Sequence, residues 1–393
     1  MKKETRKLVY WFGAPTGALF IVFIIAPTFV RTTYRQNEKN LVASIVETGF
    51  VSNNDSQYIP THIKTPEPVK AIYMSSWVAG TPHLRDGIIN IIDTTEINSI
   101  VIDIKDYSGK ISFEINSKEI QELGSSESRI QNIEAFIHIL HEKNIYAIGR
   151  IAVFQDIYLS DKWTSDVIMD ARDNTTVWKD EKGSVWLDPS SEKVWDYTID
   201  LSKIAYDLGF DEINYDYIQF PIDGTPKVAY YPLSNKELLE GKSTENILEN
   251  FFSYLNKKLP KNIVTSATLL ENVLTTPNNE TGQTIENTIP YFDFISPMIF
   301  PSHFPPQWNG YDNPATKPYE VITYSLEKGL QQLTELKYTQ SHIRPWLQDF
   351  NLGTTYTQEI IRDEITAVYD SGFTSWMLWD PANTYTTDAL LID

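Results

Sequence analysis

Residues 211–221 read Asp-Glu-Ile-Asn-Tyr-Asp-Tyr-Ile-Gln-Phe-Pro. In an extended chain successive side chains alternate between two faces, so Glu212, Asn214 and Asp216 share one of them. Before this run a helix-like stretch starts at Ser190 or Ser191, either a good N-cap, and stops at Gly209, a good C-terminal stop. After it a loop runs from Pro221 to about Ser243, and a second helix-like stretch ends at Leu259 with Pro260 just beyond. A short apolar run followed by a helix is one β-then-α unit. The same rhythm occurs eight times, in runs beginning at Val69, Ser99, Tyr146, Glu212, Ile263, Phe292, His342 and Ser375. Eight such units predict a closed (β/α)8 TIM barrel, whose functional residues sit at the C-terminal ends of the strands. A doubly wound open sheet is the alternative. The lack of a G-x-G-x-x-G turn after the first strand, and a last strand ending in Trp379-Asp380, favour the barrel.

The expected strands are 69–77, 99–106, 146–154, 212–220, 263–269, 292–300, 342–350 and 375–379. The expected helices include 83–96, 130–144, 319–333 and 357–372, with a short one at 284–289. In the second, Ile133, Phe136, Ile137 and Leu140 fall at 3–4 spacing. The third strand is followed by a long insertion, 155–189, in which 176–187 reads as a hairpin around Glu181-Lys182-Gly183. Ahead of the barrel domain (69–393) lie a cytoplasmic tail with an apolar anchor (1–35) and a polar, proline-bearing spacer (36–68). Residues 41–50 of the spacer read as a short helix or strand.

Residues 8–30, from Leu8 to Val30, are 23 in a row without a charge. As a helix they would span about 34 Å, enough for a bilayer core of about 30 Å. Lys2, Lys3, Arg6 and Lys7 precede them and favour a cytoplasmic N-terminus, with the barrel outside the membrane. A cleaved signal peptide is the competing reading, but the stretch exceeds an ordinary h-region and no clear A-x-A site follows.

The chain has 393 residues and a formal net charge of -19. The first 35 residues hold six basic side chains and one acidic, a net of +5, which leaves -24 for the rest. So acidic a body repels nucleic acid, because phosphate binding needs clustered Lys and Arg. It also repels anionic polymers, which favours a neutral substrate; the alternative is that the acidity serves only solubility. There are no cysteines, so disulfides, thiolate catalysis and Cys-based zinc sites are excluded. No H-E-x-x-H, P-loop or G-x-S-x-G pattern occurs, and no metal or cofactor is expected.

The residues that carry chemistry cluster at the expected strand ends. Asp216, nearest the mouth on the fourth strand, is a candidate nucleophile or stabiliser of an oxocarbenium-like transition state. Asp103 is a second catalytic candidate; it shares a face with Lys105 by period two, and the two are expected to pair, because lone buried charges are costly. Asp106 begins the next loop, either in the site or capping the turn 107–109. Arg150, between apolar neighbours on the third strand, needs an acid, with Asp103 or Asp216 nearest. Asn214, Met298, Arg344 and Gln348 also fall on strands or strand ends and complete the expected mouth. Trp77, Trp346 and Trp379, with Trp163, Trp178, Trp186 and Trp308 in loops, are expected to ring the mouth, where indole faces pack on the C–H surfaces of sugars. His303 is a candidate substrate contact. The proton donor is the open question: Glu271 reaches back from the fifth loop, and Asp188, Asp349 and Asp380 are the other options.

Five stretches together resemble a bacterial family of glycosyl hydrolase domain proteins, TIM barrels distantly similar to α-amylase-like enzymes. They are 101–109 (Val-Ile-Asp-Ile-Lys-Asp-Tyr-Ser-Gly), 210–221, 295–303 (Ile-Ser-Pro-Met-Ile-Phe-Pro-Ser-His), 344–350 (Arg-Pro-Trp-Leu-Gln-Asp-Phe) and 378–380 (Leu-Trp-Asp). The resemblance covers most of the barrel and implies that Asp216 holds the strand-four carboxylate position of glycosidase barrels. Two positions depart from the family pattern: Gln219, where relatives carry Arg, and Thr268, where they tend to carry Asp. The expected function is hydrolysis of a neutral polysaccharide or cell-envelope glycan by carboxylate catalysis. A barrel that binds glycan without cleaving it is the alternative, motivated by Thr268, and deacetylation or metal-assisted hydrolysis ranks behind both.

Overall fold

The computed structural model describes residues 59–221, 228–276 and 280–392. Eight parallel strands make one sheet: β1 (Lys70–Met74), β2 (Ser99–Lys105), β3 (Tyr146–Ala152), β4 (Glu212–Asp216), β5 (Val264–Leu269), β6 (Phe294–Pro297), β7 (Trp346–Gln348) and β8 (Trp376–Trp379). Sequence neighbours pair side by side from β1 to β6, β7 pairs with β8, and β8 pairs with β1. Parallel bridges Ile295–Ile343 and Met298–Trp346 join β6 to the start of β7, so the sheet meets itself in the order of a (β/α)8 barrel.

Helices follow β1 to β7 in turn: α1 (Pro82–Thr94), α2 (Ile133–Glu142), α3 (Glu192–Asp207), α4 (Thr244–Lys258), α5 (Ile285–Thr288), α6 (Pro318–Leu336) and α7 (Gln358–Asp370). Each starts where the sequence supplies a cap or a proline. The Ser191 hydroxyl accepts from Val194 N at the head of α3, and Ser243 with Asn246 forms a capping box on α4. In α2, Ile133, Phe136, Ile137 and Leu140 are all buried, as their spacing predicts. Two apolar clusters result. One lies between sheet and helices; the other, including Ala71, Tyr73, Val101, Ile148, Trp346 and Met377, fills the barrel interior.

The strands are shorter than their apolar runs, for local reasons. After β1, Ser75 caps a short helix, Ser76–Ala79, so Trp77 sits on that helix rather than ending a strand. β4 stops at Asp216 because Tyr217 turns into the left-handed region at φ 52. Pro345 lacks an amide hydrogen, and β7 begins after it.

That last shift corrects the expected position of Arg344. It precedes β7 and lies at the N-terminal end of the barrel, where its Nη1 donates to Glu212 Oε2 at 2.8 Å. The Tyr146 hydroxyl donates to the same oxygen at 3.1 Å. Arg344 therefore helps close the end opposite the C-terminal mouth.

The long third loop is also built differently from a simple hairpin. A turn does form at 180–184, but its arms flank residues 167–169: Val177 bridges Met169 on one side and Leu187 bridges Val167 on the other. A two-residue strand at Met169–Asp170 also pairs with Ala229–Tyr230 from the fourth loop.

Residues 59–68, expected as the end of the spacer, pack on the barrel. Ile63 N donates to Asp211 Oδ1 at 2.8 Å, and the Thr65 hydroxyl meets the Tyr146 hydroxyl at 2.9 Å. The expected anchor at 8–30 and the element at 41–50 lie outside the described residues. Among the described residues no helix is long and apolar enough to cross a membrane.

Candidate active site

At the C-terminal mouth the inward residues of β1 to β4 meet around one guanidinium. Arg150, on β3, donates from Nη1 to Asp103 Oδ1 at 2.6 Å. Its Nε lies 2.9 Å, and its Nη2 2.7 Å, from Asp216 Oδ2. The Tyr73 hydroxyl donates to the other oxygen of Asp103 at 2.6 Å. The rings of Tyr73, Tyr217 and Trp379 lie 5.8, 5.7 and 5.1 Å from the guanidinium carbon. Arg150, expected to meet Asp103 or Asp216, meets both, and the three side chains form one network.

Burial works against charge on Arg150, but Asp216 and Asp103 outweigh it and hold the guanidinium firmly protonated. Burial pushes Asp103 above the ordinary carboxyl range, against the pull of Arg150. Asp216 is 7% exposed. Its Oδ2 is occupied by Arg150, whereas Oδ1 accepts only the Tyr217 amide, at 2.6 Å. One carboxylate oxygen at the mouth therefore keeps a lone pair for a ligand.

The expected Asp103–Lys105 pair does not form. Asp103 is opposite Arg150 and Lys105 is opposite Ile151, so β2 carries one residue more than β3 between them. This bulge breaks the period-two alternation. Lys105 instead donates to Asp156 Oδ2 at 2.6 Å, a fully buried pair tying β2 to the third loop.

Beside the network, Tyr73 stacks on Trp379 at 3.9 Å, and Trp346 meets Trp379 edge-on at 5.5 Å. Trp379 is half-buried, whereas Trp346 is 1% exposed and lies deeper. Its Nε1 donates to Thr268 Oγ1 at 3.3 Å, and Thr268 donates to Asn214 Oδ1 at 2.9 Å. Asn214 also donates to Ser266, so it is a mid-barrel cross-link between β4 and β5. Half-buried Met298 packs on the same interior cluster.

The loops supply the rest. Glu271 opens a 3₁₀ turn, Glu271–Leu274, after β5, and its Oε2 lies 4.0 Å from His303 Nδ1 with both side chains partly exposed. Asp106 accepts from Arg129 Nη1 at 2.6 Å, and that guanidinium lies 4.7 Å from the Trp77 ring. Gln348 Oε1 accepts from Ser302 N and Oγ, joining the sixth and seventh loops. The other acids weighed as proton donors act as loop anchors. Asp188 accepts from the amides of Ser190, Leu233 and Ser234, Asp349 from Thr386, and Asp380 from Ala382 and Thr384. Burial pushes Asp349 up to about 7.

Not every expected aromatic reaches the mouth. Trp163, Trp178 and Trp186 are buried in the third loop, which is long enough to need an apolar core of its own. Conversely, Tyr73, Tyr217 and Arg129 had not been singled out. Tyr73 was legible from period two on β1. The other two depend on a backbone reversal and a loop contact that no local pattern encodes. Among the described residues no group of three or more His, Asp or Glu side chains is placed to hold a metal ion.

A family model described as "Putative glycosyl hydrolase domain" matches residues 71–385. None of the curated protein sequences matches the chain. Among solved structures, the glycoside hydrolase domain of PgaB (BpsB) from Bordetella bronchiseptica is similar with a TM-score of 0.59 at 13% identity, over 84% of this chain and 100% of that one. The α-L-fucosidase isoenzyme 2 of Paenibacillus thiaminolyticus gives 0.54 at 13% identity, over 82% of this chain and 48% of that one. A hypothetical protein from Ruminiclostridium thermocellum ATCC 27405 is 32% identical over 50% of this chain and 96% of its own, with a TM-score of 0.45. At 13% identity the first two likenesses show the fold.

Proposed function

The chain belongs to this family of glycosyl hydrolase domains, and from that premise we propose that it cleaves glycosidic bonds in a neutral polysaccharide or cell-envelope glycan. The observation that carries the proposal is Asp216, which faces inward at the end of β4 with Arg150 on one oxygen and the other open to a ligand. A carboxylate so held is suited to attack, or to stabilise, an oxocarbenium-like centre. Arg150 and Asp103 fix its orientation. Glu271, partly exposed beside His303, is the proposed proton donor to the leaving oxygen. Trp379 offers the apolar surface beside the sugar. The neutral substrate class rests on the acidity of the body, since a formal net charge of -19 repels anionic polymers.

One observation favours a binding barrel without cleavage. Thr268, on the strand beside Asp216, is engaged with Asn214 and Trp346, and β5 contributes no carboxylate to the interior. Incubation of the protein with neutral oligosaccharides, with products followed by mass spectrometry, separates the two readings. Shortened products support hydrolysis; tight binding without products supports the silent barrel.

We also propose that residues 8–30 anchor the chain with its barrel outside the cytoplasmic membrane, on the strength of 23 uncharged residues behind a basic N-terminus. Digestion of the barrel by protease added to intact spheroplasts is the expected result. Full protection until the membrane is lysed would contradict it.

A further inference from the structure

Past Asp216 the chain presents two polar side chains with unused hydrogen-bonding capacity. The first is Tyr217, a bulky aromatic at φ 52, where side chains other than glycine are strained. What the strained backbone achieves is visible: the Tyr217 amide donates to Asp216 Oδ1 at 2.6 Å, and the ring lies against Arg150 at 5.7 Å and edge-on to Trp186 at 5.8 Å. Burial, and then the neighbouring Asp216, push its phenol further up, so it stays a donor. The hydroxyl has no protein acceptor among the described residues.

The second is Gln219, whose orientation follows from its neighbours. Leu270 N donates to Gln283 Oε1 at 2.9 Å, which fixes the oxygen end of that amide. Gln283 Nε2 then faces Ile218 O, Thr268 O and Gln219 Oε1, each at 3.4 Å. Gln219 must turn its oxygen toward this nitrogen, because two amide nitrogens have nothing to exchange. Its own Nε2 is left pointing away, with no acceptor among the described residues. The residue is 7% exposed, yet this nitrogen is not among the sealed polar atoms, so it reaches solvent. Tyr217 leans toward the third loop and Gln219 toward the fifth, on either side of the strand end that bears Asp216.

We propose that Tyr217 Oη and Gln219 Nε2 are substrate-recognition donors, which bind acceptor oxygens of the sugar seated at Asp216, its ring hydroxyls or an acetamido carbonyl. This rests on the glycan-processing reading of the same mouth and adds its specificity element. Both donors reach solvent at the mouth without a protein acceptor, and a sugar oxygen at each takes the place of water. Both donors are neutral, which matches a neutral sugar rather than a uronic acid or phosphorylated one.

The test is isothermal titration of the full chain, carrying Asp216→Asn to keep ligands intact, with cello-, malto-, galacto- and chito-pentaose. The last carries acetamido groups and the others only hydroxyls, so the preferred series identifies the oxygen recognised. Gln219→Glu and Tyr217→Phe are then compared on the best ligand. Glutamate still accepts from Gln283 but has lost the donor, so a purely structural role for Gln219 would leave affinity unchanged. We expect Kd to rise about tenfold in each variant, with unfolding temperature close to the parent. An unchanged Kd in either variant overturns the assignment of that donor. If no pentaose binds at all, the glycan reading falls together with the subsite. If the parent chain cleaves a pentaose while both variants bind as tightly as their background, the subsite alone falls.

Discussion

Replacing Arg150 by methionine removes the cation that Asp103 and Asp216 share while keeping much of the side-chain volume. In the intact network Nη1 reaches Asp103 at 2.6 Å and Nη2 reaches Asp216 at 2.7 Å, with all three side chains nearly sealed from solvent. Removing one member of a buried ion pair typically costs ~3–5 kcal/mol, because an uncompensated charge is left inside. Two carboxyl groups lose their partner here, but each keeps a donor: Tyr73 on Asp103 and the Tyr217 amide on Asp216. The expected loss at pH 8 is therefore about 4 kcal/mol rather than twice that. Its pH dependence is diagnostic. Burial already raises Asp103, and without Arg150 it loses the group that pulls it back down. An acid raised in the folded state contributes stability that is present at low pH and lost as pH rises through its folded pKa. The deficit relative to the parent should thus shrink at pH 5, by about 1.4 kcal/mol for each pKa unit of added upward shift. Urea unfolding followed by tryptophan fluorescence at pH 5 and pH 8 measures both quantities. Equal stability of variant and parent at pH 8, or a deficit that grows on acidification, would refute the shared-cation argument.

Two further predictions concern the scaffold. Lys105→Met strands Asp156, whose Oδ1 caps the helix Ile157–Lys162 by accepting Leu159 N at 2.7 Å; unfolding free energy should fall by about 3–5 kcal/mol, and a loss below about 1 kcal/mol would show that the pair contributes little. Asp349 is raised to about 7 chiefly by burial, so its stabilising contribution is present below the unfolded value of about 4 and lost as pH rises through about 7. Asp349→Asn fixes the neutral form, and the drop in unfolding temperature between pH 5 and pH 8 should be smaller than in the parent. An unaltered drop would assign that pH dependence elsewhere, with buried Glu364 the next group to examine.

The barrel was legible because each of its units must bury one face against a helix, and the burial of Ile133, Phe136, Ile137 and Leu140 on α2 follows that need directly. Asp216 and Arg150 were legible too, as polar groups in apolar strands have to find partners inside. Lys105 was misread because the bulge that turns it away is set by pairing with β3, a non-local contact. Arg344 was misplaced because the apolar run 342–350 conceals a strand of only three residues, Trp346–Gln348. The third-loop tryptophans were assigned to the mouth because composition does not distinguish an indole in a loop's own core from one at a binding surface. Gln219 stood out in the sequence only as a departure from a family pattern. Its free donor emerges from the chain of amides through Gln283, which no sequence spacing reveals.

The most direct measurement is the single-turnover rate of Asp216→Asn on whichever neutral oligosaccharide the parent chain cleaves, taken well below the unfolding temperature of both proteins. A carboxylate that takes part in bond cleavage predicts a fall of about 10²-fold or more with oligosaccharide binding retained. A rate within a few fold of the parent, in a variant that still binds the same oligosaccharide, would place the chemistry on another residue.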